Sequence, residues 1–185
     1  PYWVATAMNA AGQVTEEYTR NGVKTISDRQ PTAGWLLGTD SISQANGGAD
    51  VQNLQFVFDQ SGNLEKRLRL QTAQTPAAEE SFVYDLLDRV TNAHLKIPQA
   101  GIYRPESFGY DALGNVKLKG GKSYTYTGCG ARPHAVCQVD GGPLYTYDGN
   151  GNMTSGNGRQ VTYTPGNKVS HILGSQANGG TPTVD

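Results

Sequence analysis

The feature that most limits what this chain can fold into is a short recurring pattern: aromatic, any residue, aromatic, Asp, two residues, Gly. Its best-preserved copy is Tyr145-Thr-Tyr147-Asp148-Gly-Asn-Gly151, followed by Asn152-Met-Thr154. Two aromatics spaced two apart project from one face of an extended strand. An Asp that opens a turn accepts a hydrogen bond from a backbone N–H two residues on. Gly151 stands where a left-handed or bulged backbone is cheap only for glycine. The stretch reads as strand, tight turn and return strand, which is a β-hairpin.

Further copies are Phe56-Val-Phe58-Asp59-Gln-Ser-Gly62 and Phe108-Gly-Tyr110-Asp111-Ala-Leu-Gly114. Phe82-Val-Tyr84-Asp85-Leu-Leu-Asp88 keeps all but the glycine, and Asp is among the residues that best tolerate a left-handed backbone. Looser copies place Asn9, Thr127 and Thr164 where the Asp would stand, and one more begins at Gln30 with a turn one residue longer. The turn-opening positions are then 9, 30, 59, 85, 111, 127, 148 and 164, with steps of 16 to 29 residues. A unit of about 20 residues with variable loops is what a stacked hairpin array predicts.

The segments between turns agree. Gln13-Val-Thr-Glu-Glu-Tyr18, Asn63 to Leu70, Arg89-Val-Thr-Asn-Ala93 and Asn115-Val-Lys-Leu118 alternate polar and apolar residues, the mark of a half-buried strand. Asn21-Gly22 adds a two-residue hairpin signal. Long connections are expected at 71–81 and at 94–107, the latter with Pro98 and Pro105. Residues 77–87 alone have a helical composition, and their aromatic pair argues against a helix. Composition supports the β reading: 24 glycines and 10 tyrosines in 185 residues suit short strands and turns. The expected fold class is therefore all-β, an array of antiparallel hairpins in a curved, twisted sheet. Residues 1–172 form the array, incomplete at both ends, and 173–185 are a Gly/Asn/Thr-rich terminal segment in loop or truncated strand.

Charge and motif content narrow the function. With 15 basic and 16 acidic residues there is no field to attract a polyanion, so nucleic-acid binding loses its electrostatic basis. No apolar run is long enough to span a bilayer as a helix. The repeat aspartates Asp59, Asp85, Asp111 and Asp148 occupy equivalent turns, whereas general acid–base work needs two groups converging on one pocket. Turn capping is the expected role. Asp148, Asn150 and Asn152 resemble the start of a calcium loop, but the twelfth position is Arg159 instead of the bidentate Glu. His94, His134 and His171 are scattered, no nucleophile motif is present, and no cofactor is expected. Asn152-Met-Thr154 fits the glycosylation acceptor pattern but lies inside a repeat. No enzyme is read from this chain.

Cys129 and Cys137 flank Gly130-Ala-Arg-Pro133-His134. They are compatible with a disulfide across a hairpin, which would suit an exported protein, and equally with two free thiols. With His134 they offer three candidate metal ligands, without the C-x-x-C spacing of structural zinc sites. The aromatic pairs (Phe56 and Phe58, Phe82 and Tyr84, Phe108 and Tyr110, Tyr145 and Tyr147) have two readings. They can stack between adjacent repeats as cross-strand pairs, or stack on sugar rings. The spacing favours the first.

The aromatic-x-Tyr-Asp-x-x-Gly-Asn/Arg units resemble the YD repeats of RHS-repeat proteins, a group that includes bacterial polymorphic toxins, the C component of insecticidal Tc toxins, wall-associated proteins and teneurins. The segment from Tyr18-Thr-Arg-Asn-Gly-Val23 to Gly34-Trp-Leu36 is similar to the family's NGV-x-T … DPxTGxL unit, with Gln30 in the Asp place. The resemblance runs from Trp3 to about Ile172 and implies a spiralling β-sheet that closes into a hollow shell. It further implies an exported or cell-surface protein whose partners are the rest of the same polypeptide and an enclosed C-terminal effector. A wall-associated module recognising surface glycans or a protein is the alternative. No stretch matches the family's self-cleavage motif, so that activity is not carried over.

Overall fold

The computed structural model describes residues 2–44, 49–72, 75–174 and 183–184. The chain is all-β, as the repeats predict. In hydrogen-bonding order the strands follow the sequence, β1 to β12 in one open sheet and β13 to β17 in another. Two compact units divide the chain, Pro1–Glu106 and Ser107–Asp185.

The first unit holds β1 (Trp3–Met8), β2 (Val14–Thr19), β3 (Val23–Arg29), β4 (Leu36–Ser43), β5 (Ala49–Phe58), β6 (Leu64–Arg69), β7 (Ala78–Tyr84) and β8 (Val90–Ile97). Each pairs antiparallel with the next. β9 (Ile102–Tyr110) runs across the division. The second unit continues with β10 (Val116–Lys119), β11 (Lys122–Thr125), β12 (Gln138–Val139), β13 (Thr146–Tyr147), β14 (Met153–Gly156), β15 (Arg159–Tyr163), β16 (Val169–Gly174) and β17 (Thr183–Val184). Of the terminal segment 173–185, residues 175–182 and 185 lie outside the described residues.

Two expected loops give way to strand, the first at its end and the second over most of its length. β7 begins at Ala78, inside the connection read over 71–81, and its partner β6 supplies the missing hydrogen bonds. The stretch 94–107 is the end of β8, a single 3-10 turn at Pro98–Ala100 and most of β9. Pro98 starts the turn, where a missing N–H costs nothing. Pro105 sits exposed within β9.

In three of the four aromatic pairs the rings lie on the less exposed face and the residue between them faces solvent; the fourth has Gly109 between its rings. Phe82 and Tyr84 are half-buried while Val83 is 50 % exposed; the same alternation holds around Val57 and Thr146. Among the described residues the buried hydrophobic side chains are Cys137 and Val161. A sheet with that little enclosed core draws its stability from strand-to-strand contacts and from the turns.

Candidate functional site: the aspartate turns and the disulfide-closed arm

Six turns share one geometry. The strand residue before the turn opener pairs with the residue five after it: Met8 with Val14, Phe58 with Leu64, Tyr84 with Val90, Tyr110 with Val116, Tyr147 with Met153 and Tyr163 with Val169. A register shift sits beside each pair, so every turn is closed by a bulge. The side chain at the opening position completes the loop. Asp59 Oδ1 accepts from the N–H groups of Ser61 and Asn63, both at 2.9 Å, and Oδ2 accepts from Asn63 Nδ2 at 3.1 Å. Asp111 does the same with Leu113 and Asn115, and Asp148 with Asn150 and Asn152. Asp85 accepts from Leu87 and Arg89, and the Arg89 guanidinium closes on Oδ2 at 2.6 Å. Asn9 repeats the arrangement with the side-chain donor reversed, its Nδ2 donating to Gln13 Oε1 at 2.9 Å. The turn at Thr164 keeps the backbone bonds and a longer hydroxyl contact to the Lys168 N–H, at 3.3 Å.

The residue four after the opener reaches forward as well. Asn63 Nδ2 donates to Asp88 Oδ1 at 2.7 Å, and Asn152 Nδ2 to Asn167 Oδ1 at 2.9 Å. Asp88 and Asn167 hold the left-handed positions of the following turns, at φ 57° and 58°. Glycine would suit that backbone better, but it has no side-chain acceptor to offer the preceding repeat. Gln13 makes the equivalent link to a main-chain acceptor, the carbonyl of left-handed Gly34, at 3.2 Å. Where Trp35 occupies the place, Gly62 lies under its ring, and a Cβ there would stand 3.0 Å from it.

A second link was not visible in the sequence. The tyrosine just before a turn opener donates its hydroxyl to a carbonyl about one repeat back: Tyr84 to Leu64 at 2.8 Å, Tyr126 to Val116 at 2.9 Å and Tyr163 to Met153 at 2.9 Å. Each acceptor is the first residue of a return strand. Tyr147 donates to Val136 at 2.7 Å. Ring-on-ring contacts occur instead between Trp35 and Phe58, with centroids 5.2 Å apart, and between His94 and Tyr103. The prevalence of Tyr over Phe at the second aromatic position was the available signal, since only Tyr carries a hydroxyl.

The electrostatics follow the hydrogen bonds. The Asn63 backbone N–H is the chief cause that holds the Asp59 carboxyl below its ordinary range. For Asp85 the main cause is the Arg89 side chain, for Asp111 the Asn115 amide and for Asp148 the Asn152 amide. Burial raises the hydroxyl pKa of Tyr84, Tyr126 and Tyr147, with smaller contributions from Asp59, Asp111 and Tyr145 respectively. These carboxylates are occupied acceptors within their own turns. In the calcium-like triad the Asp148 carboxylate is taken up by its own turn, and the side-chain amides of Asn150 and Asn152 are both directed to Asn167. Among the described residues no group of three His, Cys, Asp or Glu side chains is placed to hold a metal ion.

The opener expected at Thr127 does not form a short turn. After Tyr126 the chain runs out to Cys137 before β12 pairs with β11, and a disulfide joins Cys129 to Cys137. Asn115 reaches this arm as Asn63 reaches Asp88: Nδ2 donates to the Pro133 carbonyl at 3.0 Å, and Oδ1 lies 2.7 Å from His134 Nδ1. Both Asn115 amide protons are committed to Asp111 and Pro133, so the network assigns the proton to His134 Nδ1. A cleft of about 650 Å³ separates the arm from the Asp148 turn, lined among others by Arg132, His134, Tyr147 and Asn150.

Neither a protein-family model nor a curated protein sequence matches the chain. Solved structures do. A Photorhabdus luminescens Tc holotoxin pore carrying a TccC3 mutation superposes over 96 % of the chain with a TM-score of 0.68 at 15 % identity. Its fold is one that Tc toxin structures contain. The TcdB2-TccC3-Cdc42 crystal structure gives the same values, and TcdB2-TccC3-TEV gives 0.65 at 16 % identity over 94 %. The chain spans about 10 % of the length of these Tc toxin chains. The all-β hairpin array and the likeness to the RHS/Tc-toxin type are thus borne out.

Proposed function

We propose that this chain is a non-catalytic structural segment of an exported RHS-repeat protein, part of a β-shell that encloses or presents a C-terminal toxin or effector. The observation that carries this reading is the 96 % superposition on Tc toxin chains of which it spans a tenth. The turn chemistry supports it. The repeat carboxylates and amides are consumed in holding turns and linking each to the next, which is work that builds a wall. In this reading residues 1–172 are one array, and Asp59, Gly62, Asp85, Asp111, Gly114, Asp148 and Gly151 are structural. Its partners are the neighbouring repeats of the same polypeptide and the enclosed effector.

Limited proteolysis of the polypeptide that carries this segment tests the proposal. The region C-terminal to the repeats should resist protease until the repeats unfold, and should be digested quickly when expressed alone. Equal digestion in both settings overturns encapsulation. Saturable binding of the 185-residue chain to a glycan array would replace it with a surface-binding role.

A further inference from the structure

The arm between β11 and β12 is the one described hairpin connection closed by a covalent bond, and its two ends are held very differently. Cys137 is fixed. Its N–H donates to the Thr125 carbonyl at 2.7 Å, its carbonyl accepts from the Tyr145 N–H at 2.8 Å, and it is 1 % exposed. Cys129 lies outside any strand and is half-buried. Apart from the Val136 carbonyl, which accepts from Tyr147 beside the anchored Cys137, the arm's described side-chain and carbonyl ties back to the sheet are those of Pro133 and His134 to Asn115. Asn115 is itself 7 % exposed, so it depends on these partners to satisfy groups that water barely reaches.

We propose that the Cys129–Cys137 bond is a thiol-releasable clasp, opened by attack on Cys129, which frees residues 128–135 while Cys137 keeps the β11–β12 closure in place. The asymmetry of access sets the direction of attack. A thiolate of an external dithiol reaches the Cys129 sulfur, the S–S bond breaks, and Cys137 leaves as a thiolate that takes a proton from solvent. The second thiol of the reductant then attacks the mixed disulfide and releases Cys129, which is protonated in turn. The reductant ends as its own cyclic disulfide, and the cysteines have gained two electrons and two protons.

Opening has a local consequence. Asn115 loses the arm that shields it, and the cleft between the arm and the Asp148 turn loses one wall. Tyr147 keeps its bond to Val136, because Val136 adjoins the anchored Cys137. The first unit, whose described turns are closed by hydrogen bonds alone, is untouched.

The 185-residue chain with its disulfide intact is the material for the test. A monothiol such as glutathione, quenched early and mapped by mass spectrometry, should be found on Cys129 in about tenfold excess over Cys137. After dithiothreitol, amide exchange at 111–116 and 128–135 should quicken by about tenfold or more, while 137–139 and residues 9–97 stay unchanged. The Cys129→Ser/Cys137→Ser double variant should show the same pattern without reductant. The proposal fails if the adduct forms on Cys137, or if both cysteines alkylate before reduction. It also fails if exchange is unaltered around Asn115, rises across both units, or if the double variant loses its β-sheet circular dichroism.

Discussion

The turns at Asp59 and Asp111 begin alike and end differently. Both aspartates accept from the same three donors, and in both the asparagine four residues on carries the link forward. In the first unit that asparagine meets a side chain, Asp88, in the next short turn. In the second unit it meets the main chain and a histidine of an arm pinned by a disulfide. The donor is the constant and the acceptor is interchangeable. A repeat built this way tolerates loops of very different length, because any group that presents an oxygen at the right height continues the ladder. A long loop is the more expensive to order, and a covalent tie offsets part of that cost.

The largest expected effect probes packing in the second unit. A Cβ on Gly156 would lie 2.7 Å from Cγ of the Tyr145 ring, so Gly156→Ala should destabilise that unit by about 2–3 kcal/mol through overpacking. Denaturant unfolding followed by tyrosine fluorescence measures it, and an unchanged midpoint would show that the ring is not held there. Next is Asn115→Ala, which leaves the Asp111 and arm partners without their bonds at a buried position. A loss of about 2 kcal/mol is expected, larger than for Asn63→Ala, whose bond to Asp88 is exposed. Equal losses would erase the distinction between the two regions.

Smaller again is the hydroxyl link. Tyr84→Phe and Tyr147→Phe should each cost about 1 kcal/mol, the worth of one hydrogen bond, despite their different acceptors. A large gap between them would mean that the arm holds Tyr147 by more than its hydroxyl. The smallest effects are in the pH dependence. The four aspartates have lowered folded-state pKa values, so their contribution is fully present above the unfolded carboxylate value of about 3.9 and is lost as pH falls through the folded values. The raised tyrosines act at the other end: their contribution is present below the unfolded value of about 10 and is lost as pH rises through the folded values. Asp148→Asn should therefore flatten the acid limb of a stability profile and leave the alkaline limb alone. An unchanged acid limb would show that the turn carboxylate carries no such linkage.

Much of the fold was legible because its controlling interactions are local. Each Asp turn is complete within five residues, and strands alternate with period two, so composition and spacing identify both. The two-residue turns were legible too and were partly missed. Asn157-Gly158 has both residues left-handed, at φ 50° and 72°, and shows the same signal as Asn21-Gly22; Gly120-Gly121 behaves likewise at 57° and 75°. The strands in 78–81 and 102–107 were hidden because Glu, Pro and Arg break the apolar alternation there, and only a paired neighbour makes such residues extended. Thr127 failed as a turn opener for a related reason: local pattern permits the short turn, but Cys137 pairing back to Thr125 sets where the hairpin closes.

What the sequence by itself determined is the unit: an aromatic strand, an opener that caps its own loop, a left-handed third residue and a return strand, all within reach of a few bonds. What only the tertiary structure decided is how units join. The forward reach of Asn63, Asn115 and Asn152, the backward reach of the tyrosine hydroxyls and the exposure difference between Cys129 and Cys137 connect residues 8 to 25 positions apart. Such partners are chosen by how the strands stack in space, which no single repeat specifies.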